Sequence, residues 1–374
     1  MKRIILVSII VGIICCKSVY ANEFESNTYI TLDDFDLKET QNVMQSEKYS
    51  IDIDELLQEI SKGNVMAAVN IIIDNVRDKL ENQFNDIKQV IITIIFTTVF
   101  AALIVNFSYS SSKNGVNEMA FYACYVLQIS TLMYIFQIAM EIGEKLVLFI
   151  LQLMGAIIPT YLLAVWITSQ GTALGFNSLI MTLIAVIEAV ILNIVFPMLK
   201  VYMAISMVNS ISKEDLLSGM ADLIKKAINF IYKIILGTVT GLNLIQSLIL
   251  PTTDLAKNNI AKKIISNVPI VGNGTDAVAQ IILSSVGIIK NSIGVLAIIL
   301  IVFVCIVPMV KMTAYSAVVQ ISGAVLQPIA DKRILNCIKQ TSEVIKLLNR
   351  GISVVGFLFI ITIAIICIST GNGG

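Results

Sequence analysis

Apolar runs separated by short polar segments dominate the chain after residue 86. Each run is close to the ~20 residues that a helix needs to cross a bilayer. The uninterrupted runs cover 87–107, 119–140, 179–200, 228–250, 293–310 and 352–368. Because unpaired backbone groups are too costly in hydrocarbon, the pattern predicts an all-α, polytopic helical membrane protein with about six to seven spans.

Two further apolar runs, 146–168 and 268–289, are interrupted by glycine and proline, including Pro159 and Pro269. Proline removes a helical hydrogen bond, so we expect broken or re-entrant helices there. Polar segments between the runs are expected to be turns or loops. These segments are 106–117, the charged residues 141–145, the uncharged link 169–177 and the basic stretch 251–267.

The segment 22–86 has a different pattern, polar and acidic at first and then amphipathic. Residues 22–50 are expected to be extended or partly disordered. From Ile53 apolar residues recur at three- and four-residue spacing, which predicts helices with a break at Gly63-Asn64. Such a stripe fits the membrane surface, a partner, or the extracytoplasmic face of the protein itself.

The N-terminus has the pattern of a signal peptide. Lys2 and Arg3 precede the apolar run 4–16, and Val19-Tyr20-Ala21 fits a small-residue cleavage site. We therefore predict a signal peptide over residues 1–21 and an extracytoplasmic segment over 22–86. Lys17 is unusual so close to a cleavage site, which leaves an uncleaved anchor as the alternative.

A short motif, PMxK, occurs twice at the end of apolar runs, about 110 positions apart: Pro197 to Lys200 and Pro308 to Lys311. In each case an amphipathic segment and another apolar run follow. We interpret 146–250 and 251–374 as two membrane repeats, placed after two first transmembrane helices in 87–145. An odd number of crossings per repeat would invert the second copy, and an even number would make the copies parallel. Basic residues occur on successive loops, so they do not mark one side of the membrane as cytoplasmic.

Composition narrows the function classes. The chain of 374 residues is 56% hydrophobic and 14% charged, against about 45–50% and ~25% in soluble domains. Its net charge is zero and it has no histidine, which argues against nucleic-acid binding and removes the commonest general base. The six cysteines show no CxxC spacing, and no P-loop or GxSxG motif occurs. We expect no enzyme activity, metal or cofactor.

Glu188 is the strongest candidate for a functional residue, because it lies near the middle of the run 179–200. A carboxylate there costs about 2.5–3.5 kcal/mol on insertion scales, so it should face a cavity or a partner. It is either an ion or proton site or a hydrogen-bonded structural glutamate. Asn193, one turn away, could share its hydrogen bonds, and Asp276 is the next candidate. Gly237 and Gly241 form a GxxxG pattern, which permits close helix approach.

Three stretches of the last third carry a resemblance to a known family. These are VPIVGNGTDAV at 268–278, PMVK at 308–311 and VLQPIADKR at 325–333. Together with the leader, the acidic ectodomain and the spans, they resemble the stage III sporulation protein AE family of endospore-forming bacteria.

The resemblance implies a multi-pass protein of the mother-cell membrane that surrounds the forespore. The resemblance also implies that the protein acts with the other stage III A proteins and a forespore membrane partner. Together they would form a channel or secretion-like complex that supports late forespore gene expression. The resemblance assigns no catalytic residue to this chain. Contacts with lipid and a homo-oligomer are compatible with it. The alternative from the residues themselves is a permease for a small solute, suggested by the broken helices and Glu188.

Overall fold

The structure is a computed structural model that describes residues 37–47, 49, 51–110, 114–169, 182, 185–211, 216–265, 273–328 and 330–371. This part of the protein is helical apart from short connections. These residues contain no β-strand, so the predicted all-α class is confirmed for them. The helices are α1 (Lys38–Ser46), α2 (Ile53–Ser61), α3 (Val65–Ser110), α4 (Asn114–Ser169), α5 (Phe196–Ile211), α6 (Ser218–Ile265), α7 (Asn273–Leu326) and α8 (Lys332–Gly371). A π-helical turn, Ile191–Val195, leads into α5. The predicted signal peptide lies outside the described residues.

Helices long and apolar enough to cross a membrane are present, as predicted. Among the described residues there are 5 candidate spans. They are Ile87–Ile104, Tyr122–Val165, Ala185–Ser210, Gly287–Leu326 and Lys332–Ala364. The predicted run 228–250 lies in α6, whose side chains beyond Gly241 are not described, so the full span count stays a prediction.

Most of the predicted turns and breaks inside the membrane region are wrong, because helices continue through them. Helix α4 runs unbroken through the charged residues 141–145 and through Pro159. Lys145 forms an i,i+4 ion pair of 2.8 Å with Glu141, which favours helix over turn. Helix α3 extends to Ser110, α6 continues to Ile265, and α7 is continuous from Asn273. The physical reason is that polarity shows where a segment leaves hydrocarbon, not where its helix ends. The predicted link at 170–177 lies outside the described residues.

Helix α4 is too long to lie in the hydrocarbon along its whole apolar length. Its candidate span has 44 residues, about 66 Å at 1.5 Å per residue, whereas the hydrocarbon core is about 30 Å thick. Exposed charges at Glu141, Glu144 and Lys145 mark its middle, and Lys200 of α5 joins them through a 3.0 Å ion pair with Glu144. We call these four residues the charged belt. Because exposed charges are costly in lipid, we expect the belt at a membrane interface.

The N-terminal helices α1 and α2 form a strap, residues 37–61, against the helical bundle. A helix at 38–46 replaces the extended structure expected there, whereas the predicted break at Gly63 is confirmed by a positive φ of 80°. The amide of Gln41 joins the two strap helices, because its Nε2 donates to Ile51 O and its Oε1 accepts from Ile53 N–H, both at 2.9 Å. The strap therefore folds as one unit.

Tyr49 packs the strap against the bundle through aromatic contacts. Its ring stacks on Phe149 of α4 with centroids 5.7 Å apart and meets Phe303 of α7 edge-on at 4.9 Å. The ammonium of Lys79 lies 3.1 Å from the centroid of the same ring. Around it α1 contacts α4, and α2 contacts α7. Of the alternatives left open by the amphipathic stripe, the structure therefore selects packing against the protein's own bundle.

Replacing Tyr49 with alanine is expected to release the strap. The side chain is 8% exposed, and truncating a buried aromatic residue costs about 3–5 kcal/mol. The rate of limited proteolysis within 37–64 should rise in the purified variant. Tyr134→Ala is the matched control, because Tyr134 is 63% exposed on α4. An unchanged cleavage rate in Tyr49→Ala would show that the strap is held elsewhere.

Cross-helix contacts give the relative directions of α5 to α8, which lie within the two predicted repeats. Helices α6 and α8 run in the same direction, because Lys225 Nζ lies 2.6 Å from Glu343 and Tyr232 Oη donates to Leu347 O further along both. Helices α5 and α7 both run opposite to α8. The contacts that establish this are Ser210–Asn336 and Tyr202–Gln340 for α5, and Ser316–Ser342 and Thr313–Asn349 for α7.

The helix pairs α5–α6 and α7–α8 therefore run in the same direction, whereas their origin as two repeats stays a prediction. Between the two arrangements that the sequence left open, the described contacts favour the parallel one. Superposition of Pro197 on Pro308 and of Lys200 on Lys311 stays a prediction.

Candidate intramembrane site

Glu188 lies in the protein interior, on the helical stretch 185–190 that begins the candidate span Ala185–Ser210. Its side chain is 1% exposed. Among the described residues neither Oε1 nor Oε2 has a hydrogen-bond partner. Buried polar groups almost always have partners, so this carboxyl needs a specific explanation. Its interior position agrees with the cost argument, whereas its functional role remains a prediction.

The helix changes its winding immediately after Glu188. Residues Ile191–Val195 form a π-helical turn, in which the N–H of Phe196 donates to Ile191 O. A π-turn carries one more residue per hydrogen-bonded ring than an α-turn, and such turns are frequent at functional sites. Ile191 and Val195 themselves are fully buried. No pattern in the sequence predicted this turn.

The structure does not bring the other predicted site residues to Glu188. Asn193 lies on the exposed side of the π-turn and forms no bond with the carboxyl, so the predicted sharing of hydrogen bonds is wrong. Asn193 is five positions after Glu188, and two residues at that spacing point to different sides of a helix. Asp276 lies in the first turns of α7, in continuous helix where a broken segment was expected. Its side chain is not among those described.

The two PMxK motifs lie inside helices, where they have different partners. Pro197 is exposed at the start of α5, and Lys200 bonds to Glu144 of the charged belt. Pro308 lies within α7, and Lys311 has its ammonium 5.9 Å from the ring centroid of Tyr315. Neither proline ends its helix, since α5 continues to Ile211 and α7 to Leu326.

Lys290 is a buried ionisable residue that the sequence analysis missed. It is 2% exposed on α7, next to the fully buried Ser292. The available signal was a lysine at the border of the apolar run 293–310. Within the described residues, no group of three His, Cys, Asp or Glu side chains is placed to hold a metal ion.

A polar seam joins α7 and α8. Ser316 Oγ and Ser342 Oγ lie 2.9 Å apart, and Asn349 Nδ2 donates to Thr313 Oγ1 at 2.9 Å. A cavity of about 220 Å³ lies beside it, lined by Met312, Thr313, Ser316, Ala317, Gln320, Lys346 and Asn349. The hydrophobic effect contributes little to association between helices in lipid, so hydrogen bonds between them contribute part of it. We therefore expect the seam to stabilise the contact between α7 and α8.

The long apolar helices and the buried intramembrane carboxyl define a polytopic helical membrane protein. The family model for stage III sporulation protein AE (spore_III_AE) matches residues 51–370. The chain belongs to that family. It is 23% identical over 284 residues to stage III sporulation protein AE of Bacillus subtilis (strain 168), covering 75% of this chain and 70% of the relative. No solved structure matches the chain. Family membership supports a role in sporulation.

Proposed function

We propose that the chain is an integral membrane component of the stage III A complex, which forms a channel or secretion-like apparatus between mother cell and forespore. In this role it would be required for late gene expression in the forespore. The observation that carries the proposal is the family match over 51–370, which includes all the candidate spans. Its proposed place is the mother-cell membrane around the forespore.

The partners in this proposal are the other stage III A proteins and a forespore membrane partner, with no nucleic acid. Exposed apolar side chains on both arms of the α3–α4 hairpin are suited to contact with lipid or with such partners. They include Phe96, Phe100, Val126 and Leu127. A second copy of the chain could cover the same faces.

The test is a deletion strain with a late forespore reporter, together with a pull-down of the tagged protein from sporulating cells. We expect the reporter to be lost, growth to be unaffected, and the other stage III A proteins to be recovered with the tag. Normal reporter activity in the deletion strain would contradict the proposal.

An orientation follows from the helix directions. The C-terminal ends of α3, α5 and α7 and the N-terminal ends of α4, α6 and α8 lie at one end of the bundle. The contacts Thr98–Gln128 for α3, and Tyr125–Met207 and Glu144–Lys200 for α5, set these helices opposite to α4. Basic residues lie toward both ends, with Lys225, Lys226, Lys332 and Arg333 near this one and Lys257, Lys262 and Lys263 toward the other end of α6, so they do not select a side. The predicted signal peptide would put the strap outside the cytoplasm. Because the strap packs on Phe303, well before α7 ends at Leu326, we place this end of the bundle in the cytoplasm.

A pair of single cysteines tests this orientation. Ser46→Cys, on the exposed end of α1, should react with an impermeant thiol reagent in intact cells. Lys332→Cys, exposed at the start of α8, should react only after lysis. Three of the six native cysteines, Cys124, Cys305 and Cys337, are free and buried, so they should add little background. Labelling of the wild type measures the background from all six. The reverse labelling pattern would invert the proposed topology.

A permease for a small solute is the second candidate. It is favoured by the unpartnered carboxyl of Glu188, since ionisable groups inside a membrane often lie on transport paths. The broken helices that first suggested it are absent at Pro159 and at 273–289, which weakens it. Loss of solute uptake in vegetative cells of the deletion strain would favour the permease, whereas a defect confined to the forespore favours the sporulation complex.

A further inference from the structure

The structure places an ionisable oxygen pair in an environment that disfavours charge. Glu188 is 1% exposed, and no described side chain or backbone group donates a hydrogen bond to either oxygen. Removing a carboxylate from water without such donors is far more costly than burying the neutral acid, because only the charged form loses a large hydration energy.

The helical segment that carries Glu188 brings no polar side chain to the carboxyl. The π-turn at Ile191–Val195 begins three residues after Glu188, and its polar residue, Asn193, is exposed on another side. The closest buried positions on the same segment are the apolar Ile187, Ile191 and Val195. The carboxyl therefore has apolar neighbours along its own segment.

We propose that Glu188 is a proton-binding site: its carboxyl is protonated at neutral pH, and the proton leaves to water only when the bundle opens. On opening, the O–H bond breaks, water accepts the proton, and the carboxylate becomes hydrated. On closing, the reverse transfer restores the neutral acid.

A proton is favoured over a metal cation by the ligands available. A bound metal cation needs several oxygen or nitrogen ligands. Among the described residues no group of three acidic, His or Cys side chains could supply them. A single carboxyl with apolar neighbours is sufficient for a proton. The proposal does not depend on the sporulation role, because it concerns the protonation state of one side chain in the isolated protein.

Infrared spectroscopy of the purified full-length protein at neutral pH reads this state directly. The spectrum of the wild type minus that of Glu188→Gln should show loss of a protonated-carboxyl C=O band, with no loss in the carboxylate bands. Glu144→Gln is the matched control, because Glu144 is exposed and paired with Lys200. Its difference spectrum should show loss of carboxylate bands. Loss of carboxylate absorption in Glu188→Gln would overturn the proposal.

A second measurement on the wild type does not require the variant to fold. A membrane-permeant hydrophobic carbodiimide reacts with protonated carboxyls in apolar surroundings, so mass spectrometry should find Glu188 modified and Glu144 unmodified. A water-soluble carbodiimide with an added amine should modify Glu144 in preference. Modification of Glu188 by the water-soluble reagent at the rate of Glu144, or protection of Glu188 by added Na⁺, would overturn a buried proton site.

Discussion

Gly351→Ala is expected to destabilise the packing of α6 against α8. A Cβ at position 351 would overlap Tyr232 Oη and lie 3.0 Å from Tyr232 Cζ. The ring of Tyr232 cannot move aside cheaply, since it is 2% exposed and its hydroxyl donates to Leu347 O at 3.2 Å. Overpacking of this kind costs about 1–3 kcal/mol. The thermal midpoint of the purified protein in detergent should fall, and Gly351→Leu should lower it further.

A double variant tests whether Tyr232 is the cause. Tyr232→Phe removes the overlapping oxygen at the cost of one hydrogen bond, about 0.5–1.5 kcal/mol. Gly351→Ala in that background should therefore be less harmful than in the wild type. Gly237→Ala is the control, because an added Cβ there meets no atom within 4 Å. Equal losses from Gly351→Ala in both backgrounds would remove Tyr232 from the explanation.

Glu188→Gln and Glu188→Leu are both expected to accumulate in the membrane and to fail in sporulation. Leucine removes an intramembrane polar group, so it should favour insertion. Glutamine keeps the size of the neutral acid and can still donate a hydrogen bond, but it cannot release a proton. If proton exchange is the role, spore yield should fall to that of the deletion strain in both variants. Glu188→Asp, which keeps the carboxyl, should retain a measurable yield.

The same variants distinguish a structural glutamate from a functional one. A purely structural carboxyl would be replaced well by glutamine, whereas leucine would reduce the amount of assembled protein. Immunoblots of membrane fractions should therefore be run beside the spore counts. Wild-type spore yield in both Glu188→Gln and Glu188→Leu would show that the residue has no role in sporulation.

Sequence motifs within one helix did not identify the places where two helices approach closely. The GxxxG pattern at Gly237 and Gly241 permits close helix approach, yet among the described residues an added Cβ at either glycine meets no atom within 4 Å. The tight contacts occur at Gly351, against Tyr232, and at Gly356, where a Cβ would lie 2.9 Å from Cys305 Sγ. Spacing within one helix cannot reveal them, because the contacting atom belongs to another helix.

The helical membrane class, the family, the break at Gly63 and the interior position of Glu188 follow from the amino-acid sequence alone. They depend on local chemistry: the length of an apolar run relative to the bilayer thickness, a glycine that adopts positive φ, and the cost of a carboxylate in hydrocarbon. The three-dimensional structure was needed to show that α4 and α7 are continuous, that α5–α6 and α7–α8 run in the same direction, and that the strap packs on Phe149 and Phe303. Polarity along the chain does not show where a helix ends, and the other two features depend on contacts between residues far apart in the chain, which hydropathy does not identify.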